Sequence, residues 1–437
     1  MPYLQDIDAC FSAAPGALAL DKRVFADLVA KTGDALDKLR AARADGSLPL
    51  LDLPHARDDL AALAPVAERL RAACDDILVL GTGGSSLGGQ AIHAFAPPGT
   101  TPRLHFLDNI DPARFEAVVG SIDLGRAGVL AVSKSGGTAE TLTQLLAVLP
   151  RLGADHSDGG RLGERVVAIT MPGDSPLRRL AVRYGLTVLD HDPGIGGRFS
   201  VLSLVGLLPA MIAGLDAEAI RGGAAEVLDA ALDVDDPALV PPATGAALNV
   251  GFSRQHGINQ TVLVAYADPL EPFARWFRQL WAESLGKQGH GTTPVPAVGA
   301  VDQHSQLQLW LDGPADKLFT LVLADRKGAG ATIEADLAED LLGRDGPLNW
   351  LAGRTMGDLM EAEQRATADT LAAAGRPVRI LGLKQVDLRA LGGLMMHYML
   401  ETVIAAHLLG VDPFDQPAVE EGKALARRYL GEMPPCD

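Results

Sequence analysis

Apolar residues along this chain fall into two kinds of run, and their alternation predicts the architecture. Near the N-terminus Phe25, Leu28, Val29, Leu36 and Leu39 recur near helical spacing between polar residues, so residues 1–50 read as a helical extension. Short apolar runs follow: Ile77 to Leu80, Leu104 to Leu107, Val129 to Val132, Val166 to Ile169 and, less strongly, Leu186 to Leu189. Helical patterns lie between them, and strands alternating with helices predict a parallel sheet covered on both faces. Gly197 to Leu215 reads as a long apolar helix leaving this unit, and Asp233 to Pro242 as the least structured connector nearby. A second alternation places strands at Val262 to Ala265, Leu318 to Leu323 and Val378 to Leu381, with Thr292 to Val301 extended. Its helices run from Phe273 to Leu285, Met356 to Ala374 and Leu388 to Leu409. The chain is therefore expected to be α/β: two doubly wound, flavodoxin-like parallel-sheet domains over residues 51–215 and 216–415. A C-terminal helix over 416–437 completes the helical extensions. The halves share an order of elements without obvious sequence similarity.

Length and composition narrow the class. At 437 residues the chain exceeds one ordinary core. Apolar residues make up 48% and charged residues 21%, the balance of a well-packed protein. A net charge of −17 with no local basic patch excludes nucleic acid as a partner, because a polyanion would be repelled. Leu391 to Gly410 is the most apolar long segment, but His397, Glu401 and His407 make it a buried helix rather than a membrane span. The start of the chain has no basic n-region and no apolar h-region, and Cys10, Cys74 and Cys436 are scattered without metal-ligand spacing. These features suit a reducing compartment, and the expected location is the cytoplasm.

Two loops carry the first chemical signal. Gly81-Thr82-Gly83-Gly84-Ser85-Ser86-Leu87-Gly88 follows a strand and opens a helix, where glycines let the backbone approach an anion closely. A dinucleotide site is the rival reading, with Asp108 at the end of the next strand to hold a ribose. The glycine that fingerprint requires three residues after Gly83 is Ser86 instead. Ser133-Lys134-Ser135-Gly136-Gly137-Thr138 concentrates three hydroxyls, an ammonium and two glycines in six residues, a dense donor set for phosphate oxygens. A helix cap through Ser135 or Thr138 is the simpler alternative, but it accounts for one hydroxyl and not three.

Downstream, Glu283 borders the apolar stripe Phe273, Trp276, Phe277 and Leu280, about 20° from Trp276 at helical periodicity. A carboxylate there is partly withdrawn from water and is a better base near neutrality. Pairing with Lys287 or Arg278 is the ordinary alternative. His304 lies in a helix-opening context with Asp302 as N-cap and partner, and no metal-ligand spacing accompanies it. Arg198, preceded by glycines, is free to project into a cleft or to pair with Asp192. Lys423 on the last helix is either functional or simply solvated.

The two loops resemble the sugar isomerase (SIS) fold. Gly196-Gly197-Arg198-Phe199-Ser200, Glu283-Ser284-Leu285-Gly286-Lys287, Asp302-Gln303-His304-Ser305 and Phe414-Asp415-Gln416-Pro417 occur in the order of the glucose-6-phosphate isomerase family. The resemblance spans about Leu78 to Lys423. It implies interconversion of glucose 6-phosphate and fructose 6-phosphate through an enediol, in glycolysis and gluconeogenesis. Glu283 then resembles the base, Arg198 the stabiliser of the oxyanion, and His304, aided by Lys423, the residue that opens the sugar ring. Gly84, Ser85, Ser133, Lys134, Ser135 and Thr138 resemble the phosphate cradle, with Glu140 on sugar hydroxyls. Gly136-Gly137 stands where some relatives carry hydroxyls. No metal or organic cofactor is implied, because the substrate's own carbonyl acidifies the proton. The resemblance also implies a homodimer in which His304 reaches the neighbouring subunit's site. Two alternatives stay open: a non-catalytic phosphosugar sensor with the same cradle, and an isomerase that also accepts mannose 6-phosphate.

Overall fold

Ten strands appear among the residues that the computed structural model describes, 1–11, 16–153 and 159–434. They are β1 (Tyr3–Asp6), β2 (Asp76–Leu80), β3 (Arg103–Leu107), β4 (Ala127–Val132), β5 (Val166–Thr170) and β6 (Thr187–Asp190), then β7 (Gln260–Ala265), β8 (Thr293–Val298), β9 (Lys317–Ala324) and β10 (Val378–Leu383). Cys436 lies outside the described residues. In β2, β4 and β5 every residue is buried, which is why these strands read as unbroken apolar runs.

The first sheet is parallel throughout, in the order β3-β2-β4-β5-β6. Counted within the unit this is 2-1-3-4-5, the flavodoxin-like order. The second sheet runs β1-β10-β9-β7-β8, and its four parallel strands repeat the same order as far as they go. Similarity between the halves is therefore visible in strand order as well as in the succession of elements.

Three details differ from the sequence reading. Tyr3–Asp6 is a strand, paired antiparallel with β10 on the edge of the second sheet, where a helical extension was expected. Four residues are too few to show a period, and only the partner strand gives this segment its conformation. The extension otherwise holds one long helix, Lys22–Asp45. Asp21 caps its start, Gly46 ends it at φ +69°, and its face of Leu28, Val29, Leu36 and Leu39 joins the core of the second unit.

Gly197 to Leu215 is not one helix. A 3-10 turn over Gly197–Leu202 stops at Ser203, whose hydroxyl accepts Val205 N–H and caps a new helix, Leu204–Ile212. That second helix does not leave the first unit: Val205, Leu208 and Ile212 pack on Ile77, Val79, Leu130 and Val132 of the first sheet. Asp233 to Pro242 is likewise no loose linker, since it holds a short 3-10 turn, Pro237–Leu239, capped by Asp236.

A wholly buried polar network pins β1 and β10 to the helix Leu388–Leu409. Arg379 on β10 forms a fork to Glu401, at 2.9 and 2.7 Å, and both side chains are fully buried. His397 Nε2 lies 2.7 Å from Glu401 Oε2, and Nδ1 accepts the Tyr3 hydroxyl. Burial holds His397 neutral, pulling its pKa from 6.5 to about 4 even though Glu401 favours the cation. Burial also disfavours the Glu401 carboxylate, but Arg379 and His397 outweigh that and keep its pKa below the usual value.

The unfolded chain therefore takes up a proton at His397 below pH 6.5 that the folded chain refuses. Stability from this residue is complete above pH 6.5 and falls as the pH drops towards about 4. The slope is up to about 1.4 kcal/mol per pH unit. Urea midpoints at neutral and mildly acidic pH should diverge accordingly, and His397→Gln should flatten the difference. Glu401→Gln, which leaves a buried guanidinium without its counter-charge, should cost about 3–5 kcal/mol in the same titration.

Candidate active site

Strands β2 and β4 are neighbours, and between them the strand order of the first sheet reverses. Ligands of doubly wound sheets bind outside the carboxyl ends at such a reversal, and both hydroxyl- and glycine-rich loops sit there. In the first, Gly83–Ser85 forms a 3-10 turn with Ser85 half-buried. Gly83 has φ +61°, a conformation that favours glycine. A Cβ on Gly84 would lie 2.2 Å from the carbonyl carbon of Gly197, so this loop touches, backbone to backbone, the segment that carries Arg198. Gly84→Ala must push that segment away, and a fall in kcat/KM of about tenfold or more is expected in a steady-state assay.

In the second loop Ser133 is buried, Thr138 is half-buried and Ser135 is exposed. Ser133 Oγ and Thr138 Oγ1 are 2.8 Å apart, and Ser135 Oγ accepts Gly137 N–H at 3.3 Å. Thr138 occupies the N-cap of the helix Ala139–Val148, yet its side chain makes no capping bond, so capping does not account for these hydroxyls. Gly136 has φ +64°, and a Cβ there would meet Ser175 Oγ at 2.1 Å, which explains glycine in place of a hydroxyl residue. Lys134 Nζ donates to the Pro193 carbonyl at 2.7 Å, and burial lowers its pKa. Glu140 is half-buried in the first turn of the helix.

Against the first loop lies the helix Glu271–Leu285, whose apolar face of Phe273, Trp276, Phe277 and Leu280 is buried. Glu283 stands on its border, 31% exposed, with Oε2 3.4 Å from Arg198 Nη1. The two ordinary pairings do not form. Lys287 turns instead to Asp415, at 2.6 Å, and to the Asp412 carbonyl, and Arg198 pairs with Glu283 and not with Asp192.

Arg198 is 4% exposed and surrounded by acceptors. Nε donates to Ser284 Oγ at 2.8 Å, Nη1 reaches Gln416 Oε1 at 3.4 Å, and Nη2 donates to the carbonyls of Pro413 and of Asp415, the latter at 2.9 Å. Burial lowers its pKa, opposed by Glu283, Asp415 and Asp412. An arginine stays cationic under such opposition, so this is a fixed positive charge beside a carboxylate.

Three side chains at this site went unnoticed in the sequence. Gln279 donates to Glu283 Oε1 at 3.0 Å and lies against Gly83, tying the carboxylate to the first loop. Among the described residues its own Oε1 is buried without a partner, an acceptor suited to a ligand hydroxyl. Spacing could have found it, since it precedes Glu283 by four residues and shares its helix face. Ser284 and Gln416 bind Arg198, and both lie inside motifs whose pattern alone assigns neither a role.

His304 and Lys423 do not join the cluster within one chain. His304 is exposed on the helix Val301–Asp312. Asp302 is neither its N-cap nor its partner: Ala300 occupies the cap, and Asp302 accepts Val298 N–H at 2.7 Å and Ser305 Oγ–H at 2.8 Å. Lys423 is exposed on the helix Glu420–Glu432 and pairs with Glu420 at 2.7 Å. Asp108, the residue of the nucleotide alternative, accepts a hydrogen bond from Gln90 at 2.8 Å. Among the described residues no group of three or more His, Cys, Asp or Glu side chains is arranged to hold a metal ion.

Doubly wound parallel sheets, with two anion-suited loops at the strand reversal and a helix-borne carboxylate tied through Gln279 to the first of them, define an α/β protein of the sugar isomerase class. The model of the phosphoglucose isomerase family matches residues 69–435. A glucose-6-phosphate isomerase from Rubrobacter xylanophilus is 41% identical, covering 87% of this chain and 88% of its own length. One from Thermus thermophilus is 38% identical over 94% of this chain and 99% of its own. A crystal structure of a hypothetical protein, also from Thermus thermophilus, superposes with a TM-score of 0.81 at 36% identity, covering 94% of this chain and 99% of that one. The chain belongs to the phosphoglucose isomerase family.

Proposed function

We propose a division of labour among these residues for the family's reaction. The chain is an aldose–ketose isomerase that interconverts glucose 6-phosphate and fructose 6-phosphate, a step of glycolysis. The observation that carries the assignment of roles is the position of Glu283, held between Gln279 and Arg198 and linked through Gln279 to the glycine loop. Ser85, Ser133, Ser135 and Thr138, with the backbone at Gly84, grip the phosphate, and Lys134 adds a positive charge. Gripping the phosphate fixes how far the C1–C2 unit reaches, and converts proton transfer into a step within one complex. Glu283 takes the proton from one carbon and returns it to the other. Arg198 stabilises the oxyanion that develops between, in a buried setting where a fixed charge counts for more than in water. Gln279 and Glu140 hold sugar hydroxyls. A coupled assay that follows fructose 6-phosphate into glucose 6-phosphate tests the reaction itself, and absence of turnover would remove it.

Ring opening falls to His304 and Lys423. His304 acts in the site of a second copy, so the protein works as a homodimer. The helix that carries it supports this, because Val301, one turn before His304 on the same face, is 64% exposed. Mixed dimers make the test. If sites are composite, Glu283→Gln and His304→Ala proteins, each inactive, generate one intact site per heterodimer. Randomly re-assorted, they recover about a quarter of the original activity, as two-fold symmetry requires. No recovery would place His304 in its own chain's site. Among the described residues no helix is long and apolar enough to cross a membrane, and a glycolytic role suits the cytoplasm.

A further inference from the structure

Arg221 lies outside the two loops and outside the motifs around Arg198, Glu283, His304 and Asp415, yet it is wholly buried and bonded through its entire guanidinium. It lies on the helix Ala217–Leu232, is 0% exposed, and reaches from the second unit into the first. Its Nε and Nη2 both donate to the Leu202 carbonyl, at 3.0 and 2.8 Å. Nη1 donates to the Ala56 carbonyl at 2.8 Å and to Asp59 Oδ1 at 2.6 Å, and Nη2 also donates to Asp59 Oδ2 at 2.5 Å. A guanidinium has five N–H donors, and five hydrogen bonds are made. Lysine has three donors and no planar fork, so this arrangement is specific for arginine.

What those bonds hold decides their meaning. Leu202 is the last residue of the 3-10 turn that begins at Gly197 and carries Arg198. Four residues of such a turn span about 8 Å, too short and too tightly wound to bend independently of its end. The other end of the same turn rests on Gly84 of the first loop. Arg221 therefore fixes one end of a stiff rod whose other end presents the buried Arg198 side chain to Glu283. Asp59 and Ala56, at the start of the helix Asp58–Ala73, supply the anchor on the first unit. We propose that Arg221, oriented by Asp59, is a positioning residue for the isomerisation: it sets where the Arg198 charge stands relative to the oxyanion that forms on the substrate.

The inference rests on the role given to Arg198 above, and the test separates the two. A planar aldonate such as 5-phosphoarabinonate imitates the enediolate, whereas sorbitol 6-phosphate carries the phosphate and hydroxyls without the anionic plane. Affinities of both are measured calorimetrically for the unaltered protein, Arg198→Met, Arg221→Lys and Asp59→Asn. Asp59→Asn keeps a hydrogen-bonding side chain and serves where Arg221→Lys fails to fold.

Arg221→Lys and Asp59→Asn are each expected to weaken the aldonate about tenfold while changing sorbitol 6-phosphate less than twofold, with kcat falling more than KM rises. A merely structural residue would weaken both ligands alike or neither, and either outcome in a folded variant would overturn the proposal. If Arg198→Met itself leaves the aldonate's affinity intact, the role of Arg198 fails first. If Arg198→Met loses the aldonate while Arg221→Lys and Asp59→Asn keep it, only the positioning role fails.

Discussion

Glu283→Gln is expected to lower kcat by about a thousandfold or more while the protein still binds a substrate analogue with near-normal affinity. Glutamine keeps the shape of the side chain and can still meet Gln279 and Arg198, the two partners that hold the carboxylate at 3.0 and 3.4 Å. It cannot accept a carbon-bound proton, and removal of a positioned general base typically costs between about a hundredfold and ten-thousandfold. Steady-state rates paired with calorimetric binding of the analogue separate the two effects. Near-normal turnover in this variant would take proton transfer away from Glu283.

The second large effect is at Arg198. Arg198→Met keeps an apolar stem of similar length but removes the charge and every donor to Ser284, Gln416 and the carbonyls of Pro413 and Asp415. Loss of one preorganised group facing a developing oxyanion costs about a hundredfold to a thousandfold in kcat. The variant should reach that range while its phosphate affinity, set by the other end of the site, changes little. Equal losses in kcat and in phosphate binding would point to a collapsed site rather than a lost charge. Thermal unfolding of the variant distinguishes collapse directly.

Much of the frame could be read in the sequence, for a physical reason. Strands covered on both faces must be apolar along their length, and β2, β4 and β5 announce themselves in that way. The long helices Glu271–Leu285 and Leu388–Leu409 also follow their apolar patterns to within a residue or two. What could not be read was conferred by partners distant in the chain. Tyr3–Asp6 is a strand only because β10 offers it an edge. Ser203 breaks the apolar run after Gly197, a stop that its capping hydroxyl signals but that the surrounding leucines and valines mask.

The candidate site divides along the same line. The loops and Glu283 lie in dense local patterns, so glycine, hydroxyl and carboxylate spacing pointed to them. Gln279 carries a weaker signal, its spacing of four from Glu283, and Gln416 becomes meaningful only through what it touches, since it reaches Arg198 from more than two hundred positions away. Arg221 is the extreme case. An arginine in the second turn of a helix reads as a solvated surface residue, yet this one is buried, with five bonds to backbone and side-chain acceptors 19 to 165 positions distant.

Deuterium exchange tests the role of Glu283 most directly, since it reports proton movement without depending on net turnover. Fructose 6-phosphate is incubated with the protein in deuterated water, and label at C1 is followed by NMR. The unaltered protein should introduce deuterium at C1 as the glutamate's proton exchanges with solvent. The Glu283→Gln variant, folded and still binding the sugar, should introduce none above the uncatalysed rate. Deuterium entering C1 at an undiminished rate in that variant would contradict the assignment of Glu283 as the base.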